Sequence, residues 1–334
     1  MNEQQLSRIQ LKGFKSIQTM DLEFHMINLL IGSNGSGKSN LISLFSLLQA
    51  ITEQRLQPYI AKHGGPDVFL HWGRKCTENL EAVFYFGSQS YHVTLEPTAD
   101  NHLMFANGNL EETQLAGPLV NQTWRVYHFD DTSDSARIKQ IHSIYDNGAL
   151  ATDARNLAAF LYRLKKTSQP YYRRIIHTIR LAAPYFDDFL LRPNPLQPDS
   201  IVLEWRAKNS DIPFIGAQLS DGTLRFACLA TLLLSPADVL PETILIDEPE
   251  LGLHPYAISV LAGLIKKASL TKQLIISTQS VELLNEFTPD DVIVVDHPGT
   301  YSTFKRLDTQ KLSSWLAEYS LGELWKRNII GGRP

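Results

Sequence analysis

Two short stretches carry residue types at spacings that could do chemistry. "GSNGSGKSN" (32–40) has glycines at 32, 35 and 37, then Lys38 and Ser39, which is the GxxxxGK[ST] spacing of a phosphate-cradling loop. The glycines let the backbone curl so that consecutive N–H groups face an anion. Lys38 supplies a point charge to the β- and γ-phosphates, and the Ser39 hydroxyl can ligate Mg²⁺. The expected nucleotide-binding set is therefore Gly32, Ser33, Asn34, Gly35, Ser36, Gly37, Lys38, Ser39 and Asn40. The second stretch, "ILIDEPE" (244–250), is an apolar run ending in two carboxylates. Asp247 is the expected second metal residue, acting through water or Ser39. Glu248 is the expected general base toward an attacking water. Together they describe ATP and Mg²⁺ as cofactors and hydrolysis as the reaction.

These groups need elements to hold them. "RIQLKGFKSI" and "MDLEFHMINLLIG" read as strands, the second running straight into the glycine loop, and "KSNLISLFSLLQAIT" carries apolar residues at helical spacing. A Gly-Gly-Pro stretch, "AKHGGPDVFLHWGRK" (61–75), reads as a loop or lid, with His71 and Arg74 as lid candidates. "LEAVFYFGS", "SYHVTLEP" and "TWRVYHF" alternate as antiparallel strands do. Residues 151–192 look helical with a break near Pro170. "TILIDE" (243–248), a helix from about His254, "QLIIST" and "DVIVVD" follow, then a short helical tail. Alternating strands and helices predict an α/β fold with a largely parallel core sheet.

Composition sets outer limits. The chain has 334 residues, 43% hydrophobic and 20% charged, as in a soluble globular protein with a sizeable core. The longest apolar run, near Phe226–Leu234, is too short to span a bilayer, and no signal-peptide pattern opens the chain. Cys76 and Cys228 lie far apart without metal-ligand spacing, which suits a cytoplasmic protein with no membrane contact. A net charge of −4 gives no global attraction to nucleic acid. The local exception is residues 155–180. There Arg155, Arg163, Lys165, Lys166, Arg173, Arg174 and Arg180 occur with no acidic residue, interleaved with Tyr162, Tyr171 and Tyr172. Such a segment could neutralise phosphates and stack on bases, and Arg163, Lys165, Lys166, Arg173 and Arg174 are its DNA-contact candidates; a solvated basic face is the alternative.

A third motif suggests a family. "LSDGT" (219–223), a polar turn feeding an apolar helix, resembles the Leu-Ser-Gly-Gly-Gln signature of ABC-type ATPases. "ELGLHP" (250–255) looks like the D-loop region of the RecF, SMC and OLD-type group. "IISTQS" (275–280) occupies the switch position, with Gln279 where most relatives carry His. The tail "YSLGELWKRNIIGGRP" resembles the ending of stand-alone ATPases of this group. The resemblance implies an ABC-type P-loop ATPase head with a mixed core sheet, an antiparallel β subdomain and a helical insertion. It further implies a homodimer in which Ser220, Asp221 and Gly222 complete a partner's ATP site. Asp221 replaces a glycine, and a carboxylate beside triphosphate is tolerable if it points away or caps its own helix. Glutamine can donate to a γ-phosphate oxygen but cannot titrate, so Gln279 is given a sensing role.

The branch follows from what is missing. About 180 residues separate Ser39 from Leu219, too few for coiled-coil arms, and heptads are absent. Only a short tail follows "VIVVDHPG", leaving no room for the Toprim nuclease domain of OLD proteins. The expected division is residues 1–130 as the first part of the head, 131–200 as a helical insertion or lid, and 201–334 as the second part. The family's work in DNA repair and phage defence implies DNA, or a separately encoded nuclease or toxin effector, as partners. An ABC-transporter subunit and a nucleotide-binding module that never hydrolyses are the rival readings.

Overall fold

The computed structural model describes residues 5–106 and 124–333. They form two units: the described residues 5–106, 124–126, 241–247 and 272–333 make one, residues 127–240 and 248–271 the other. The chain crosses between units several times; the expected cut at 130 falls just past the crossing at 126–127, and 200 lies within the second unit. Strands distant in sequence pair in one sheet, and pairing partners cannot be read from local patterning.

The first unit holds two sheets. One is antiparallel, in the spatial order Ile17–Glu23, Leu6–Phe14, Leu80–Phe86, Gln89–Pro97, Leu103–Phe105. Burial alternates strictly along Leu80–Phe86, as period-two side chains require when one face is packed and one is wet. The other sheet runs Thr303–Arg306, Val292–Asp296, Ile27–Ile31, Gln273–Thr278, Thr243–Asp247, Trp124–Tyr127. Its central strands Ile27–Ile31 and Gln273–Thr278 are buried throughout, the signature of parallel strands covered on both faces. The strand in "TWRVYHF" belongs to this sheet, beside Thr243–Asp247, and not to the antiparallel set. Its alternation was equally compatible with either.

The helix Lys38–Thr52 turns Leu41, Leu44, Phe45 and Leu48 into a core shared with Leu30, Leu245 and Ile275 of the larger sheet and with Leu6, Ile9 and Phe84 of the smaller. Each such side chain contributes roughly 1.5–3 kcal/mol of burial, which fixes the helix start against the sheet edge.

The second unit is mainly helical. Gln169–Ala182 packs against Leu157–Thr167, Asp221–Leu233 and Pro255–Ala268. The predicted break near Pro170 is a helix restart, with Ser168 at the N-cap and Pro170 in the first turn. Asp221–Leu233 is buried at every position from Leu224 to Leu233, so it is a central helix, not a surface one. A three-stranded antiparallel sheet, Phe186–Phe189, Glu204–Ala207 and Pro213–Ile215, completes the unit. No described helix is long and apolar enough to cross a membrane.

Candidate functional site

Three parallel strands of the larger sheet end in chemistry. Thr243–Asp247 pairs with Gln273–Thr278, setting Asp247 opposite Ser277, and Gln273–Thr278 pairs with Ile27–Ile31, setting Thr278 opposite Ile31. The glycine loop leaves Ile31, the acidic pair begins at Asp247 and Gln279 follows Thr278, all at one carboxyl edge. That edge is where open parallel sheets bind ligands.

The loop is built for an anion. Gly35 (φ +78°) and Gly37 (φ +114°) adopt left-handed backbone that L residues avoid. A β-carbon on Gly37 would collide with Ser302 Oγ, whereas one on Gly35 would meet nothing within 4 Å, so the loop is tight on its inner side and open at its crest. Lys38, only 4% exposed, donates from Nζ to the Gly32 carbonyl (2.6 Å) and the Ser33 carbonyl (3.0 Å). Its charge is thus held inside the loop. The helix that follows has no side-chain cap and no acidic residue in its first turn, leaving its N–H groups and dipole to a ligand. Ser33 is half-buried, Asn34 and Ser39 are exposed, and Asn40 donates from Nδ2 to Ser16 Oγ at 2.6 Å.

The buried hydroxyls of Ser36 and Ser277 have no hydrogen-bond partner among the described atoms. Such orphans are costly unless a ligand satisfies them. Ser36 lies within the loop and Ser277 is the strand neighbour of Asp247, so these residues fit a Mg²⁺-triphosphate. Mg²⁺ takes one or two protein oxygens plus phosphate oxygens and water. No group of three or more His, Cys, Asp or Glu suited to a metal occurs among the described residues.

Two residues that no motif marks, Ser302 and Ser16, hold the loop in place, with Lys15 beside Ser16 in the chain. Ser302, fully buried, donates to the Ser36 carbonyl (2.6 Å) and shares a hydrogen bond with Ser16 Oγ (2.7 Å). Lys15 sits in the turn between the first two strands at φ +48°, with Nζ 5.6 and 5.4 Å from the ring centroids of Phe14 and Phe69. Burial lowers its pKa from the usual lysine range. The only sequence signal was a Lys-Ser pair at a strand turn. His71 and Arg74 are not lid residues: His71 is buried with Nδ1 on the Lys15 carbonyl, and Arg74 ties Asp67, Asn101 and the Thr98 carbonyl together.

At the acidic end, Asp247 closes its strand and Glu248 adopts φ +44°, unusual for a residue with a side chain. A strained backbone of this kind clusters at functional sites. Beyond it, the Leu251 N–H bonds the Glu248 carbonyl (3.2 Å) and Gly252 takes φ +76°. Gln279 is half-buried at the strand exit, and Ser280 caps the next helix.

The signature turn lies in the second unit. Ser220 is the N-cap of Asp221–Leu233, its Oγ accepting from the Thr223 N–H (3.3 Å) and donating to Thr223 Oγ1 (2.8 Å). Tyr185 shares a hydrogen bond with Thr223 Oγ1 at 2.8 Å. The cap is therefore Ser220 and not Asp221, which is exposed in the first turn, where its charge favours the helix dipole. A β-carbon on Gly222 would strike the Gly252 carbonyl, so this glycine has a packing reason of its own. Buried Arg225 donates to the carbonyls of Phe129, Asp130 and Leu251, joining the signature helix to the segment after Glu248.

The basic segment is smaller than its composition suggests. Arg155 pairs with Asp146 and Asp153, Lys165 with Asp188 and Arg180 with Asp187, while Arg163 donates to the Asn147 and Gly148 carbonyls. Tyr172 is buried; that burial, and the hydrogen bond to Asp188, push its pKa far above the usual range. Lys166, Arg173 and Arg174 remain exposed, Lys166 over Tyr162 and Arg174 over Tyr171. The acids that pair with this segment lie outside 155–180, which is why the segment itself looked unbalanced.

Comparison with solved structures places this architecture. An SMC head bound to the C-terminal winged-helix domain of ScpA shares 18% identity at a TM-score of 0.65, covering 92% of this chain and 99% of that one. An SMC head with extended coiled coil bound to the C-terminal domain of ScpA, from Pyrococcus furiosus, matches at 16% identity and TM-score 0.64, over 94% and 98%. The SMC head domain from Thermotoga maritima matches at 16% and 0.52, over 92% and 100%. At these identities the likeness establishes the fold, that of an ABC-type P-loop ATPase head. No curated protein matches the chain. Residues 4–104, which include the glycine loop, match a family model described as "Protein of unknown function (DUF2813)". Residues 115–285, about half of the chain, contain the signature, acidic and switch motifs and match the model "AAA domain, putative AbiEii toxin, Type IV TA system", and the chain belongs to that family.

Proposed function

We propose that this protein is an ATP-dependent dimerising switch. Lys38 and the loop N–H groups bind the triphosphate, and Ser39 and Asp247 hold Mg²⁺, which neutralises phosphate charge when bound. Glu248 orients and deprotonates the attacking water, and Gln279 reads the γ-phosphate without taking a proton. Ser220 and the N-terminus of its helix lid the site of a second copy, and hydrolysis reopens the pair. The observation that carries this reading is the parallel register that brings the glycine loop, Asp247 and the Ser277–Gln279 exit to one sheet edge.

The experiment is to load Glu248→Gln with ATP and measure mass in solution and phosphate release. The expected result is a nucleotide-dependent dimer with turnover reduced about 10²–10⁴-fold, the usual worth of a general base. Wild-type turnover in this variant would remove Glu248 from the base role. A wild-type protein that binds ATP yet releases no phosphate would establish the non-hydrolysing module instead.

The output is DNA engagement or control of a separate effector, in repair or defence. The family description, which names a toxin of a toxin–antitoxin system, favours defence. Exposed Arg173 and Arg174 are the DNA contacts of this proposal. Neutralising both should lower the slope of log affinity against log salt by about 1.8 for duplex DNA. An unchanged slope would remove DNA from these residues.

A further inference from the structure

The chain's last elements touch the candidate nucleotide site at two separate points. The helix Leu321–Lys326 is set by a capping box, Ser320 Oγ accepting the Glu323 N–H and the Glu323 carboxylate accepting the Ser320 N–H. Its Leu324 and Trp325 are fully buried. At the near end, the Gly322 N–H donates to Asn285 Oδ1 at 2.7 Å, and a β-carbon on Gly322 would lie 2.5 Å from Val281 Cγ1. Val281–Leu284 is the short helix that begins two residues after Gln279. At the far end the chain makes two left-handed glycines, Gly331 (φ +83°) and Gly332 (φ +62°). A β-carbon on Gly332 would lie 2.7 Å from Val294 Cγ1, 3.3 Å from the Val295 carbonyl and 3.5 Å from Gly32 Cα, the first residue of the phosphate loop. Trp325 joins the two ends, its indole N–H donating to the Gly332 carbonyl.

We propose that the segment Ser320–Arg333 is a brace for the nucleotide site, with Gly332 positioning the phosphate loop and Gly322 positioning the helix behind Gln279. The proposal rests on the nucleotide-site reading above. No side chain of the segment need touch the nucleotide. Both glycines sit where a neighbour's backbone or branched side chain leaves no room for a methyl group. Closely packed interiors pass such displacements on instead of absorbing them. A methyl at Gly332 clears Gly32 itself but crowds Val294 and the Val295 carbonyl, the same carbonyl against which Gly32 packs, so a shift there reaches the triphosphate cradle, which governs binding. A shift at Gly322 moves the exit of Gln279, which governs the chemical step.

The test uses the full-length chain with Mg²⁺-ATP. Gly332→Ala is expected to raise KM about tenfold with kcat nearly unchanged, and Gly322→Ala to lower kcat about tenfold with KM nearly unchanged. Trp325→Phe keeps an aromatic side chain at this buried position but loses the N–H and some ring volume, and should follow Gly332→Ala in direction with a smaller effect. It also stands in if a glycine variant fails to fold. All constants are measured well below each variant's Tm. A lowered Tm with wild-type constants would mean the segment only stabilises the fold, and would overturn the proposal. Identical changes in both constants for both variants would overturn the two-point assignment. If wild-type protein neither binds nor hydrolyses ATP, the nucleotide-site reading itself fails; an active wild type with indifferent variants sinks the brace alone.

Discussion

The molecule has two helix starts that resemble phosphate sites, and they are built in opposite ways. The helix Lys38–Thr52 begins on a left-handed glycine, has no side-chain cap, carries no acid in its first turn and keeps a lysine inside its loop. The helix Asp221–Leu233 begins on a serine that caps its own N–H groups, with a carboxylate next to it and Tyr185 bonded to the same Thr223 hydroxyl. The first start has no side-chain cap and no acid in its first turn, so its dipole and its lysine both favour an anion. The second is already satisfied, so an anion must compete with Thr223 for Ser220 and approach past Asp221. For the shared site proposed above, such a contrast would give tight binding on one side and conditional closure on the other.

The largest way to break this contrast is Lys38→Ala. Removing the one buried charge of the cradle should abolish nucleotide binding, a loss of at least about 100-fold in affinity if charge-assisted bonds of 1.5–3 kcal/mol each are lost at two phosphates. Calorimetric titration with ATP checks it, and wild-type affinity would show that the loop is not the cradle. Next is Gly222→Ala. Because the added methyl meets the Gly252 carbonyl, it should cost roughly 1–3 kcal/mol of stability with no nucleotide present. Denaturant unfolding of the ATP-free protein reads this directly. An unaltered midpoint would mean that this glycine serves only the partner's ligand.

The smallest effects come from the cap itself, where two neighbouring substitutions should move dimerisation in opposite directions. Ser220→Ala loses about 1 kcal/mol of capping and, with it, a hydroxyl for the γ-phosphate, so the ATP-loaded dimer should weaken. Asp221→Asn gives up 0.3–1 kcal/mol of helix-dipole stabilisation, as a rough figure, but removes a negative charge from the lid, so that dimer should tighten. Sedimentation of both variants in the Glu248→Gln background would show the divergence. Weakening by both would mean that the turn only terminates a helix.

The motifs of the candidate site are legible in the sequence because the chemistry they suggest is local. A phosphate loop needs glycines, lysine and a hydroxyl within a few residues, and "GSNGSGKSN" has them in order. The strand "TILIDE" and the switch strand "QLIIST" announced themselves by continuous apolar runs ending in polar residues. Long-range assembly was not legible. Ser302 and Ser16 meet from opposite ends of the chain to hold the loop, and neither has a motif. The acids that neutralise Lys165 and Arg180 sit at 187 and 188, just past the basic segment, and their pairing depends on a turn in space.

The sequence by itself named the candidates for holding a triphosphate and activating water, because those proposed roles depend on residue type and on spacing of a few positions. Only the tertiary structure decided that the strands carrying them run parallel in register, that Gly222 packs on Gly252, and that the tail reaches Gly32. Those facts arise from burial among segments tens to hundreds of residues apart. Apolar burial is non-directional, so a local pattern can say that a face must be covered but not by what.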